Sequence, residues 1–406
     1  MPTPSPKAAP KSPSGALTGI RVVDLSRVLG GPYCTQILSD HGARVVKVEP
    51  PMGDETRTWG PPFVEGTASY FLGVNRNKQD IVLDLSRPEG REAVLRLLAD
   101  ADVLVENFKT GTMEKWGLGF EEVLRERFPR LIHCRVSGFG GDGPLGGAPG
   151  YDAVAQAMGG LMSVNGDPAS GPTRIGIPIV DMTTGLNAVI GILLALAERQ
   201  RSGQGQFVEA TLFDTAVGLL HPHAANWFVN GQVPVLAGSG HPNVVPYDKF
   251  ETRSGEVFLG IGNDGQFRKF CAFVGAPELA TDARYASNGE RNRNRIALRA
   301  SIETLLADRD AAELCEGLLK AGIPAGPVNQ LPQVLQHPHT LHREMVVEFD
   351  NGQRGLGIPV KLSRTPGSVH AAAPTLGQHT REVLLGLGYS STEVDAMIEQ
   401  GIARAP

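Results

Sequence analysis

The stretch IRVVDLSRVLGGPYCTQILSDHGARVVKVEP, residues 20–50, decides the fold. IRVVDLS reads as a buried strand, GGPYCTQILSDHG as a turn and helix, and ARVVKVEP as a second strand stopped by Pro50. The alternation continues outward. DIVLDL is a third strand, and PEGREAVLRLLADA is a helix with Pro88 in its first turn and Ala93, Leu97 and Leu98 at helical spacing. DVLVENF is a fourth strand and, after the helix FEEVLRERF, RLIHCRVSGF is a fifth. Strands and helices alternating at this spacing predict an α/β, doubly wound, Rossmann-like parallel sheet.

The order breaks at GFGGDGPLGGAPG, residues 138–150, where glycine and proline dominate. An apolar helix YDAVAQAMGGLMSV, the segment GIPIVDMTTG (residues 176–185) and the strand QFVEATLFD follow. From about Asn230 the pattern changes to a hairpin-like strand and helix in GEVFLGIGNDGQFRKFCAFV, then two amphipathic helices in ALRASIETLLADRDAAELCEGLLKAG. These predict a large domain over residues 17–229, a smaller α+β domain over 230–330, and a return to the large domain over 331–406. The return contains a hairpin, VVEFDNGQRGLGIPVKLS, and a final helix, REVLLGLG. Residues 1–16 hold five prolines and no apolar run, so they read as a disordered tail and lack the core of a signal peptide.

Composition narrows the function. A net charge of −5 with no lysine or arginine stripe disfavours nucleic acid as a partner. Four cysteines, Cys34, Cys134, Cys271 and Cys315, show no metal or disulfide spacing and fit a reducing cytoplasm. The longest apolar run, Gly185 to Ala197, is shorter than the roughly twenty residues of a bilayer crossing, so no membrane association is expected. The histidines at 221, 223, 241, 337, 339 and 342 form no HExxH, and no GxSxG is present, which excludes the commonest zinc and serine hydrolase patterns; no metal is expected. Gly138, Gly140 and Gly143 satisfy GxGxxG, but Pro144, Gly146, Gly147 and Pro149 follow where a dinucleotide-binding helix would have to start. A nicotinamide dehydrogenase is therefore disfavoured.

Asp181 leaves two readings open. An aspartate beside a helix start commonly caps it, accepting from free N–H groups of the first turn. The same helix end favours the anionic carboxylate and keeps it nucleophilic.

Motifs in order along the chain then resemble a known family. LTGIRVVDLSRVLGGPYCTQILSDHGARVVKVEPPMGD, NRNKQDIVLDL, VENF, GYDAVAQAMGG, IPIVDMTTG, SGQGQFVEATLFD, GHPNVVPYDKFET, IPAGPV and PTLGQHTREVLLGLG resemble the class III CoA-transferases, the CaiB/BaiF family of formyl-CoA transferase and carnitine CoA-transferase. NRNK, GYDAVA, HAAN at 223–226 and GNDGQF resemble the branch with succinyl-CoA:glutarate CoA-transferase. The resemblance implies that Asp181 is the nucleophile. Attack on an acyl-CoA thioester yields a mixed anhydride, CoA thiolate converts it to an aspartyl-CoA thioester, and an acceptor acid reverses the steps, with no tightly bound cofactor. It also implies an interlocked homodimer and a glycine loop over the nucleophile, here Gly238 and Gly240. CoA contacts carry over to Val28, Leu29, Gly30, Leu83, Asn107, Phe108, Lys109 and Lys115, with Tyr151 and Asp152 near the thioester. Arg174, Arg76 and His41 are candidates for the acceptor's distal carboxylate.

Two departures matter. Leu29 stands where the formyl-CoA and oxalate branch has a glutamine, and Pro50 where it has an arginine, which disfavours oxalate and leaves a dicarboxylate such as glutarate as the expected acceptor. The 2-methylacyl-CoA racemases of this fold use a histidine where this chain has Tyr151, and a tyrosine pKa of about 10 suits proton transfer poorly against about 6.5 for histidine. Racemization, and a catalytically silent CoA-binding protein, are the alternatives.

Overall fold

In this computed structural model, which describes residues 15–406, the chain divides into two compact units. The first comprises residues up to Gly159, Gly176–Leu219 and Pro338–Pro406; the second comprises Gly160–Ile175 and Leu220–His337. The first fourteen residues of the expected tail lie outside the described residues.

The first unit holds strands β1 (Arg21–Asp24), β2 (Arg44–Glu49), β3 (Lys78–Leu83), β4 (Val103–Glu106), β5 (Ile132–Ser137) and β6 (Phe207–Thr211). They lie in the order β6-β5-β4-β1-β2-β3, all parallel, with Val22 of β1 opposite Val45 on one side and Val103 on the other. This is the doubly wound order, in which the chain reverses direction between β1 and β4. A short C-terminal strand, Ala403–Arg404, closes the β3 edge antiparallel. Strands covered on both faces commonly read as continuous apolar runs, as β4 does, where Val103, Leu104 and Val105 are all fully buried.

Helices α1 (Gly30–Asp40), α2 (Pro88–Leu98), α3 (Asp152–Met158), α4 (Ile179–Ser202) and α5 (Leu212–Gly218) pack around this sheet. α1 and α4 approach closely because position 185 is glycine: a Cβ there would lie 2.7 Å from the Gly30 carbonyl oxygen. α4 has 24 residues and a mean hydropathy of 1.9, long and apolar enough to cross a membrane by length and composition. Yet Val180, Ala188 and Ile192 belong to the buried core, and Arg199 near its end pairs with Asp102 at 2.7 Å. The C-terminal return is tied to β3, with the Gly377 N–H donating to Asp80 at 2.6 Å and the His370 and Ala371 N–H groups donating to Asn77 at 2.9 Å.

The second unit contains a three-stranded antiparallel sheet of Tyr247–Thr252, Gly255–Gly260 and Ala325–Pro327. Helices Asp264–Val274, Arg295–Leu306 and Ala311–Lys320 complete a core of Phe250, Leu259, Phe270, Leu298 and Leu318. Asn263 and Asp310 cap two of these helices through their side-chain oxygens.

Four elements differ from expectation. The helix read across residues 151–164 stops at Met158 and restarts at Leu161, because Gly160 adopts a left-handed φ of +87°. The chain passes between units at that break. Consequently the second unit is larger than 230–330, starting at Leu220 and including Gly160–Ile175; the Gly238 N–H donates to the Gly166 carbonyl at 2.9 Å, joining the two segments. FEEVLRERF forms a π-helical turn, Phe120–Leu124, before a short helical turn at Arg125–Arg127. After the expected final helix comes another, Ser391–Glu399, started by a capping box of Ser390 and Glu393.

Candidate active site

β1 ends in a turn that must redirect the chain into α1, and buried charges fix its shape. Asp24 accepts from the Ser26 N–H at 2.9 Å, the Thr35 hydroxyl at 2.6 Å and Lys78 Nζ at 3.1 Å. Burial alone would raise this carboxyl, but Lys78 and Lys47 hold it below its ordinary value. Lys47 Nζ donates to the Ser26 carbonyl at 2.8 Å and to Asp54 at 3.1 Å. Asp54 in turn accepts from the Val28 N–H at 3.3 Å. Val28 has φ +67°, an unfavourable conformation for a β-branched residue, of the kind that persists where surrounding contacts over-determine it and that concentrates at functional sites. Across the turn, Asn107 after β4 accepts from the Arg27 N–H at 2.8 Å and donates back to the Arg27 carbonyl at 2.6 Å.

The start of α4 excludes the capping reading of Asp181. Pro178 occupies the cap position and has no side chain able to cap. The buried Asp152 carboxylate, carried by α3, does so instead: it accepts from the Val180 N–H at 2.8 Å and the Asp181 N–H at 3.1 Å, while its other oxygen accepts from Gln156 at 2.6 Å. Asp181 is thus not the cap. Its carboxylate accepts no hydrogen bond among the described residues, and burial together with the charge of Asp152 pushes its pKa up to about 7. The expectation that the helix end would hold it well ionised is corrected, because the first-turn N–H groups are spent on Asp152. Gly30 lies against it: a Cβ at position 30 would be in ordinary van der Waals contact with Asp181 Oδ1, at 3.8 Å.

Asp181 opens into a cavity of about 220 Å³ at the C-terminal ends of β1, β4 and β5. That position, beside the reversal between β1 and β4, is where doubly wound sheets bind ligands. Of the residues singled out from sequence, Val28, Leu29, Gly30, Asn107, Phe108, Lys109, Tyr151 and Asp181 line it. Leu83 does not: it is fully buried in the core opposite Ala403. Lys115 is exposed on the short helix Thr112–Lys115 and is not among the lining residues. Asp152 stands behind the wall as the cap described above. The amide of Asn107 is committed to Arg27, so it shapes the turn more than it offers itself to a ligand. Gly138 and Gly140 line the cavity within a loop, not a helix start; a Cβ at 138 would lie 2.8 Å from the Gly150 nitrogen.

Gly238 and Gly240 lie in the second unit, in a loop that lines a cavity of about 570 Å³ with His241, Tyr247 and Arg295. Gly238 has φ +61°, which favours glycine. Of the three residues considered for a distal carboxylate, Arg76 is excluded. It is buried with its guanidinium on Asp40 at 2.6 Å. His41 and Arg174 line none of the cavities described here.

Sequence reasoning passed over two residues. Tyr70 stands edge-on to Trp59 at 5.3 Å, and its pKa is pushed up to about 12 by burial and by the charges of Asp181, Asp152 and Asp54, which places its phenol in the field of the Asp181 carboxylate. Arg27 lines the cavity directly. An arginine one residue upstream of the recognised turn was a readable signal; the proximity of Tyr70, more than a hundred residues from Asp181, was not.

A family model for CoA-transferase family III matches residues 17–380. The chain belongs to the family III CoA-transferases. This transferase is 39% identical over 382 residues to a succinate-glutarate CoA-transferase of Agrobacterium fabrum, covering 91% of this chain and 95% of the relative. It is equally similar, 39% over 359 residues, to an acetyl-CoA:oxalate CoA-transferase of Acetobacter aceti, covering 88% and 92%. Among solved structures, a CaiB/BaiF family protein from Brucella suis superposes with a TM-score of 0.83 at 42% identity, covering 92% of this chain and all of the other. The protein is accordingly an acyl-CoA:carboxylate CoA-transferase of class III, acting on CoA thioesters.

Proposed function

We propose that the transferase moves CoA from succinyl-CoA to a dicarboxylate, glutarate first, through covalent intermediates on Asp181. The observation that carries this reading is the division of labour between the two aspartates, with Asp152 capping α4 and Asp181 left unbonded in the cavity. In the first step the Asp181 carboxylate attacks the thioester carbonyl, and CoA thiolate leaves as the succinyl-aspartyl anhydride forms. The thiolate then attacks the Asp181 carbonyl, giving aspartyl-CoA thioester and succinate. The acceptor carboxylate attacks that thioester and releases thiolate, which finally takes the acyl group from the anhydride and restores the carboxylate. No net proton is exchanged. Among the described residues α1 carries no side-chain cap, and its first-turn N–H groups, beside Gly30, are the donors we assign to the developing oxyanion.

The acceptor is not ranked by similarity, since relatives using glutarate and oxalate match equally well. Leu29 in the cavity wall offers no hydrogen bond to a short, doubly charged acid, which supports a longer dicarboxylate; itaconate, mesaconate and malate belong in the same screen. We also assign an interlocked homodimer to this enzyme. Leu186, Ile190, Leu193 and Leu194 form an exposed apolar stripe on α4, with Leu194 66% exposed, a surface that a second chain would cover.

Intact-mass spectrometry after incubation with succinyl-CoA and a borohydride quench tests the mechanism. The expected result is a mass change mapping to Asp181 that is absent from Asp181→Ala. An unmodified Asp181 accompanied by α-proton exchange of a methylacyl-CoA in deuterated water would replace transfer with racemization.

A further inference from the structure

Arg27 is anomalous among the enclosed arginines of the first unit. Arg57 pairs with Glu49, Arg76 with Asp40, Arg135 with Glu106 and Glu114, and Arg199 with Asp102. Arg27 alone of these forms no ion pair among the described residues; its Nε, like Nη1 of Arg57, is buried with no hydrogen-bond partner. A buried donor without a partner is uncommon and unfavourable, so one that persists at a cavity wall calls for a ligand.

Its placement is that of a prepared anion receptor. The backbone is clamped at both its N–H and its carbonyl by Asn107. The guanidinium lies over the Phe108 ring, 5.8 Å from its centroid, and Phe108 is itself braced edge-on against Trp116 at 5.1 Å. A cation held over a ring face keeps its N–H groups for hydrogen bonds, and a guanidinium can grip two oxygens of one anion. Arg27 and Asp181 line the same cavity.

We propose that Arg27 binds an oxyanion of the acyl-CoA substrate, a phosphate of the CoA moiety or the free carboxylate of its acyl group. This rests on the reading of the cavity as the acyl-CoA site. It moves the principal anion contact away from Lys115, which is exposed and outside the cavity lining, and onto the turn that also carries Val28 and Gly30.

The test measures affinity directly by calorimetry, in an Asp181→Ala background so that no turnover intervenes. CoA and succinyl-CoA are each titrated into the full-length protein with Arg27 intact, with Arg27→Ala and with Arg27→Lys. Loss of the guanidinium should weaken binding about tenfold to a hundredfold, the value of hydrogen bonds to a charged group, with partial rescue by lysine. Weakening of both ligands assigns the phosphate, whereas weakening of succinyl-CoA alone assigns the carboxylate. Unchanged affinity for both, with the Arg27-intact protein binding normally, overturns the inference and leaves the cavity assignment standing. Absence of CoA binding in the Arg27-intact protein overturns both. Should Arg27→Ala not fold, judged by its melting curve, Arg27→Gln, which preserves the stem and an amide donor, takes its place with the same outcomes.

Discussion

Across β1, β2 and β3 the two faces of the sheet carry opposite chemistry. One face presents Val23, Val46, Val48, Ile81 and Leu83 to a continuous apolar core. The alternate positions of the same strands present Asp24, Lys47, Glu49, Lys78 and Asp80, all nearly or fully inaccessible to solvent. Side chains alternate across a strand, so two patterns can be interleaved in one segment. The apolar face supplies burial without direction. The charged face supplies directed hydrogen bonds, and these hold the Ser26–Val28 turn in a conformation that apolar packing would let relax. Pairing at low solvent exposure does not by itself stabilise a fold; here its product is a fixed turn.

The comparison breaks most visibly at Asp181, which shares its cavity with that turn. Asp181→Ala should reduce CoA transfer at least about a thousandfold while leaving the melting temperature no lower than that of the parent, since the proposed nucleophile makes no structural hydrogen bond among the described residues. Steady-state assay and thermal melts check both halves, and an Asp181→Ala enzyme that retains exchange activity would overturn the proposed covalent mechanism.

The next largest effects separate the two faces. Lys47→Met leaves Asp54 buried without its partner and should cost about 3–5 kcal/mol. Leu104→Ala opens the apolar core and should cost a similar 2–5 kcal/mol. Only Lys47→Met should also raise KM for the acyl-CoA, because only it releases the turn. Urea titrations with kinetics under native conditions decide the matter: equal KM changes would mean that the charged face has no special hold on the site.

Asp181 also sets a pH-dependent tension. The folded protein holds its proton up to about pH 7, whereas the unfolded chain loses it near the ordinary value of 3.8. Stability therefore falls as pH rises from about 4 to about 7 and is level above, because the native state binds the extra proton in that window. Asp181→Asn should remove this loss, gaining up to about 4 kcal/mol at pH 8 and nothing near pH 4. Melting curves at the two pH values measure it; a gain that does not depend on pH would point to packing instead.

The smallest effect is the sharpest. Asp152→Asn keeps an oxygen to cap α4, gives up the acceptor of the Gln156 bond and removes the negative charge beside Asp181, so the melting temperature should change only modestly. The limb on which kcat/KM rises with pH, set by Asp181 ionisation, should shift downward by a fraction of a unit, since burial is the larger cause of the raised pKa and Asp152 the lesser. A large upward shift would contradict the assigned electrostatics.

Local periodicity determined the doubly wound sheet: apolar strands, the proline at the start of α2 and the turn residues are all near-neighbour signals, and they recovered each of the six parallel strands. The same signals missed the break at Gly159 and Gly160, where a glycine pair that disrupts the helix was read through. Ordered motifs shared with a known family identified Asp181 and much of the first turn. What the chain alone left open was the duty of each aspartate, because an N-cap and a nucleophile occupy the same sequence position. Only the tertiary structure decided which of them is the cap, by bringing Asp152 from 29 residues away onto the Asp181 N–H. The exclusion of Leu83, the occupation of Arg76 by Asp40 and the unpaired state of Arg27 have the same origin. Burial, and the presence or absence of a counter-charge, belong to the folded arrangement in space and leave no periodic trace in the sequence.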